Sequence, residues 1–68
     1  MIRLFPIRKA ILKALISKAK TREELMKELK ITEFQLRFNL NWLIKNGYVE
    51  CINDKFRITE SGIEYLYK

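Results

Sequence analysis

The first apolar positions of the chain recur at the spacing of a single helix face. The residues that share this face are Ile7, Ala10, Ile11, Ala14 and Leu15. With Pro6 suited to a first helical position, the spacing predicts a helix over residues 6–19. Leu12 and Ile16 lie on a different side of that helix, at about 100° per residue. We therefore expect a second element to cover them.

Two capping boxes mark the starts of two further helices. The segments Thr21-Arg22-Glu23-Glu24 and Thr32-Glu33-Phe34-Gln35 each place a threonine three residues before a side chain that can reach back to its backbone N–H. A second helix is predicted after Thr21, and a third over residues 32–46. Gly47 follows where a left-handed residue commonly ends a helix.

Beyond Gly47 the apolar period changes from 3.6 to 2, which predicts a β-hairpin over residues 48–59. Asn53-Asp54 is the predicted turn, because both residue types tolerate positive φ. This register pairs Glu50 with Arg57, a favourable cross-strand pair. The side chains that it directs into the core are Val49, Cys51, Phe56 and Ile58. A final helix is predicted over residues 60–68, capped by Thr59.

The third helix divides into an apolar arc and an exposed arc. The residues predicted to be buried are Leu36, Leu40, Leu43 and Ile44. The opposite arc holds Phe34, Phe38, Asn41, Trp42 and Lys45, with Gln35 and Arg37 at its borders. Large exposed rings at i, i+4 and i+8 need an explanation. Either Phe34 folds back on the second helix and Trp42 tucks under the hairpin, or the aromatic stripe binds a ligand or a partner.

Composition limits the chemistry that the chain can perform. It has 68 residues and a single cysteine, Cys51, and it contains no histidine. No internal disulfide, zinc site of the usual Cys/His type, Gly-rich phosphate loop or nucleophile with an attached base can be built. We therefore expect one domain over residues 1–68, without a cofactor, a metal or catalytic activity.

Charge and hydropathy bear on the partner and the compartment. The net charge of +6 favours a polyanionic partner, although solubility alone could account for it. The cations, Arg8 among them, are spread along the chain as on a folded face. Arg8, Lys9 and Lys13 follow the apolar start at once, so no signal peptide or membrane span is expected. The protein is expected in the cytoplasm and not at a membrane.

Specific segments resemble a known family. Leu36, Leu40 and Leu43, followed by Gly47-Tyr48-Val49, look like the end of the recognition helix in winged helix-turn-helix regulators of the MarR, ArsR and PadR kind. The segment Phe56-Arg57-Ile58-Thr59-Glu60-Ser61-Gly62 continues to Leu66 and resembles their closing segment. The resemblance covers residues 7–67. It implies a mainly α fold with a small β-hairpin: a three-helix core, a two-stranded wing and a short C-terminal helix.

The resemblance also implies a function. A winged helix of this kind binds double-stranded DNA as a small transcriptional regulator, with the third helix in the major groove and the hairpin as wing. The candidate base-reading residues are Gln35, Arg37, Phe38 and Asn41. The candidate phosphate-binding residues are Lys20, Arg22, Thr32, Lys45, Lys55 and Arg57. Winged helices also serve as protein-binding modules, so the face formed by Phe34, Phe38 and Trp42 is an alternative docking surface.

A homodimer is expected because the apolar residues exceed what one small subunit can bury. Its predicted interface joins the second face of the first helix to the closing helix. The residues of that interface are Leu12, Ile16, Tyr65 and Leu66. The alternative is a monomer in which the closing helix folds back over Leu12 and Ile16.

Overall fold

The computed structural model describes residues 4–68, and side chains from residue 7 onward. In chain order the elements are α1 (Leu4–Ile16), α2 (Arg22–Leu29), α3 (Glu33–Lys45), β1 (Val49–Ile52), β2 (Lys55–Ile58) and α4 (Glu60–Leu66). The predicted fold class, mainly helical with one hairpin, is confirmed.

The first helix ends three residues earlier than predicted. It spans Leu4–Ile16, and the chain then bends at residues 17 and 18. Lys20 is not helical but pairs with β2: its backbone N–H donates to the Phe56 carbonyl at 3.0 Å, and the Phe56 N–H donates to the Lys20 carbonyl at 2.8 Å. This bridge ties the connection between α1 and α2 to the hairpin. The sequence pattern missed it because a single bridged residue has no periodicity.

Both predicted capping boxes are present. The Glu24 N–H donates to Thr21 Oγ1 at 3.2 Å, while the Thr21 N–H donates to the Glu24 carboxylate at 2.8 Å. The latter bond lowers the pKa of Glu24 below its ordinary value, because it stabilises the charged form. Thr32 and Gln35 repeat the arrangement at the start of α3, at 3.1 and 3.0 Å. Lys30, with φ of 56°, ends α2 in the left-handed conformation.

The hairpin has the predicted register. Val49 lies opposite Ile58, and Glu50 lies opposite Arg57. Asn53 and Asp54 have φ of 54° and 66°, as a two-residue turn matched to the strand twist requires. Gly47, with φ of 78°, follows α3 as predicted.

The core lies around α1, which contacts α2, α3, α4 and β2. Its buried apolar residues are Ile11, Leu12, Ala14, Leu15, Leu25, Leu36, Leu40, Leu43, Val49, Phe56 and Leu66. The expectation that Leu12 and Leu66 are left for a second subunit is wrong, because α4 packs against α1 and both residues lie in the core. Ile16 remains 43% exposed, and Tyr65 is half-buried.

Two residues that were predicted to be buried are exposed. Cys51 faces solvent, and only Val49 of the four β1 residues is buried, because β1 is the outer strand while Lys20 bridges to Phe56 on the other side of β2. Ile44 is 38% exposed, since it lies at the edge of the apolar arc near the end of α3.

A hydrogen-bond junction joins α4 to the end of α3. Thr59 Oγ1 donates to the Gly47 carbonyl at 2.6 Å and accepts from the Gly62 N–H at 3.1 Å. The Thr59 N–H also donates to the Tyr48 carbonyl at 3.0 Å. The junction fixes where the hairpin leaves α3, and therefore where the wing lies relative to that helix.

Candidate nucleic-acid interface

The outer face of α3 is an exposed, mixed aromatic and polar surface. Its residues are Phe34, Arg37, Phe38, Asn41 and Lys45, all of them exposed. Phe34 is 75% exposed and Phe38 49% exposed, and their rings stack with centroids 6.3 Å apart. The alternative in which Phe34 folds back on α2 is therefore wrong.

Trp42 belongs to a different cluster. Its ring is half-buried at the base of the hairpin, with centroids 5.9 Å from Tyr48 and 6.1 Å from Tyr65. The alternative in which Trp42 tucks under the hairpin is confirmed. Tyr48 and Tyr65 themselves stack at 4.5 Å. The predicted stripe of three rings is thus reduced to an exposed pair, Phe34 and Phe38.

A buried polar contact between α1 and α3 was not predicted. Arg8 is 8% exposed and Asn39 1% exposed, and Arg8 Nε donates to Asn39 Oδ1 at 3.3 Å. The Arg8 guanidinium also lies 3.9 Å from the centroid of the Trp42 ring, a cation–π contact. Arg8 was expected among the exposed cations, and this expectation is wrong. One signal was available, because Asn39 falls beside Leu36 and Leu43 in helical projection, where a polar side chain needs a partner.

Gln35 has a structural role at the start of α3. Its side-chain carbonyl accepts from the Thr32 N–H at 3.0 Å and from Thr32 Oγ1 at 3.3 Å. Its backbone carbonyl accepts from Asn39 Nδ2 at 2.7 Å. The geometry therefore favours Arg37, Phe38 and Asn41 over Gln35 as the side chains that face a ligand.

The predicted phosphate-binding residues fall into three groups. Lys20 differs from its expected role, because its side chain is 12% exposed and its ammonium group pairs with Glu28 at 2.6 Å. Arg22 and Arg57 are exposed, and they lie 3.9 Å from Glu33 and 3.6 Å from Glu50 respectively. Exposed ion pairs of this kind are weak and exchange readily with other anions. Thr32, Lys45 and Lys55 are exposed.

The structure thus brings the candidate residues onto two neighbouring surfaces. The outer face of α3 carries Arg37, Phe38 and Asn41, and the hairpin that leaves the end of α3 carries Lys55 and Arg57. Among the residues that the structure describes, no cluster of His, Cys, Asp and Glu side chains could hold a metal ion. No helix within residues 4–68 has the length and apolar character needed to cross a bilayer.

An order of three helices, a hairpin and a closing helix, with an exposed third helix, defines a winged helix-turn-helix protein. The chain matches the family model described as winged helix-turn-helix over residues 4–68, and it belongs to that family. Membership indicates DNA binding, and such domains are generally not enzymes. The family match does not extend to the MarR, ArsR or PadR regulators, so the similarity to them stays a resemblance.

Two proteins of Archaeoglobus fulgidus, both described as uncharacterized, are similar to the chain. One is 49% identical over 61 residues, which cover 90% of this chain and 70% of that protein. The other is 38% identical over 63 residues, covering 91% of this chain and 74% of that protein. No solved structure gives a significant match.

Proposed function

We propose that this chain is a sequence-specific regulator of transcription that binds duplex DNA in the cytoplasm, with α3 in the major groove. The observation that carries the proposal is the exposed position of Arg37 and Asn41 on α3. An arginine can pair bidentately with guanine, and an asparagine with adenine. The burial of Leu36, Leu40 and Leu43 on the core side of α3 sets the rotation that keeps these side chains outward.

The remaining cations act on the phosphate backbone. Lys55 and Arg57 on the hairpin and Lys45 at the end of α3 are exposed, as phosphate contacts require. Arg22 and Thr32 flank the start of α3 on the other side. Asp54 at the hairpin tip repels phosphate, so the wing makes a modest contribution.

Two copies of the chain act together in this proposal. Ile16 on α1 and Ile63 on α4 are 43% and 42% exposed, and these two helices contact each other. A twofold axis through this apolar surface would pair the chains and cover Ile16 and part of Tyr65. The two α3 helices would then read half-sites about 34 Å apart, one turn of DNA.

A second candidate function is a protein-interaction module. The observation that favours it is the exposed Phe34–Phe38 stack, because large exposed rings are typical anchors of protein interfaces. The absence of Trp42 from this surface reduces the apolar area available to such a partner.

Selection of duplexes from a random library, followed by affinity measurements on variants, tests the proposal. We expect Arg37→Ala and Asn41→Ala each to relax preference at one base position by about 1–3 kcal/mol. Lys55→Ala should lower the affinity for all duplex sequences by the same factor. The matched control is Lys13→Ala, which removes an exposed charge from α1. If Arg37→Ala prefers the same sequence as the wild-type chain, with the same ratio of its affinity to that for random DNA, then α3 does not read bases.

A further inference from the structure

The exposed stack of Phe34 and Phe38 is a feature that hydrogen-bonded base recognition leaves unexplained. Their interplanar angle is 20°, so the two rings present a continuous apolar surface one helical turn long. Keeping 75% and 49% of two phenylalanines in water is unfavourable unless a ligand covers them.

The surroundings of the stack restrict the ligand. At 100° per residue, Asn41 projects about 20° from Phe34, and Lys45 about 20° from Phe38, with Arg37 on the border of the same arc. A partner that covers the rings therefore also meets a guanidinium, an amide and an ammonium group. An apolar protein groove would desolvate these groups without satisfying them, which costs free energy. The ligand must combine small apolar groups with hydrogen-bond acceptors and negative charge.

The major groove of DNA has this combination at thymine. The C5 methyl group of thymine is the apolar group on the base edges, and acceptor atoms of thymine, adenine and guanine lie beside it. The phosphates on either side supply the negative charge. We propose that the Phe34–Phe38 stack contacts thymine methyl groups and so makes the chain selective for sites with thymine beside the bases that face Arg37 and Asn41. The inference rests on the proposed function and deepens it.

Replacing thymine by uracil tests the inference directly, since uracil lacks the methyl group and keeps the base pairing. The probes are the duplex enriched from the random library and the same duplex with every thymine replaced by uracil. Affinity for the wild-type chain should fall about fourfold for each contacted methyl that is removed. A fall of about sixteenfold is therefore expected when the stack contacts two methyls.

Variants separate the effect of the methyl group from altered duplex shape. The double variant Phe34→Ser/Phe38→Ser should bind the two duplexes with equal affinity. Tyr67→Ser, which removes a ring that is 72% exposed on the C-terminal side of α4, should keep the full wild-type difference. Both phenylalanines are exposed, so the double variant should retain its fold, which its thermal unfolding curve would verify.

Three other results would overturn the inference. Equal affinity of the wild-type chain for the thymine and uracil duplexes would exclude methyl contacts while leaving DNA binding intact. A difference that persists in the double variant would assign the effect to duplex shape. Failure of the chain to bind any duplex would overturn the proposed function and this inference with it, and would favour a protein partner for the stack.

Discussion

At the scale of single residues, the contact between Arg8 and Asn39 is a buried polar link between α1 and the helix that carries the candidate site. A buried cation is costly unless its surroundings compensate for lost water. Here Asn39 Oδ1 accepts from the guanidinium, and the face of the Trp42 ring lies 3.9 Å from it. The contact therefore adds a buried polar link between α1 and α3 to the apolar packing of Leu36, Leu40 and Leu43.

Replacing Asn39 by alanine should lower the free energy of unfolding by about 1–3 kcal/mol, because it removes one acceptor from a buried charged group. Asn41→Ala is the matched control on the same helix. Asn41 is exposed, so its replacement should change stability by less than about 0.5 kcal/mol. Urea unfolding of both variants measures the difference. Equal stabilities would show that the Arg8–Asn39 contact is not a stabilising one.

At the scale of elements, local signals were predictable from the sequence and tertiary ones were not. The capping boxes, the turn at Asn53-Asp54 and the helix end at Gly47 depend on neighbouring residues, and all are present. The burial of Leu12 depends on where α4 packs, which no local pattern states. The exposure of Cys51 depends on β1 being the outer strand, which is decided by the distant bridge between Lys20 and Phe56. For the site, the exposed face of α3 was predictable from the helical periodicity. The contact between Asn39 and Arg8 was not, because Arg8 lies on α1.

The junction between α4 and the hairpin yields an element-scale prediction. A Cβ added at Gly62 would overlap the backbone carbonyl of Tyr48 and lie 2.7 Å from Ile58 Cγ1. Gly62→Ala should therefore force α4 away from the hairpin and destabilise the protein by about 1–3 kcal/mol or more. Ser61→Ala, at an exposed neighbouring position, is the control. Thermal unfolding should show a lower Tm for Gly62→Ala alone, and an unchanged Tm would refute the close approach.

At the scale of the whole molecule, ion pairing reduces the charge available to a ligand. Of the fourteen lysines and arginines, Lys20 has its ammonium group directed to Glu28 and held away from solvent. The exposed cations of α3 and the hairpin remain, on surfaces that adjoin the start of β1. This distribution favours a polyanion across α3 and the wing, while Ile16 of α1 and Ile63 of α4 are the exposed isoleucines to which the proposed dimer assigns the contact between copies.

The proposed dimer predicts a mass that depends on Ile16. At micromolar concentration the wild-type chain should sediment as a dimer, and Ile16→Glu should sediment as a monomer, because it places a charge in the apolar interface. Ser17→Glu, which adds the same charge at the adjacent exposed position, should remain dimeric. A wild-type monomer whose mass and fold survive Ile16→Glu would rule this interface out.

Affinity for duplex DNA across a salt series tests the central claim most directly. Each phosphate neutralised by a lysine or arginine contributes about 0.9 to the slope of log affinity against log salt. With several such contacts per subunit, a dimer should lose roughly a hundredfold or more in affinity between about 50 and 200 mM salt. An affinity that does not change with salt, or no binding at about 50 mM salt, would contradict DNA binding through α3 and the wing.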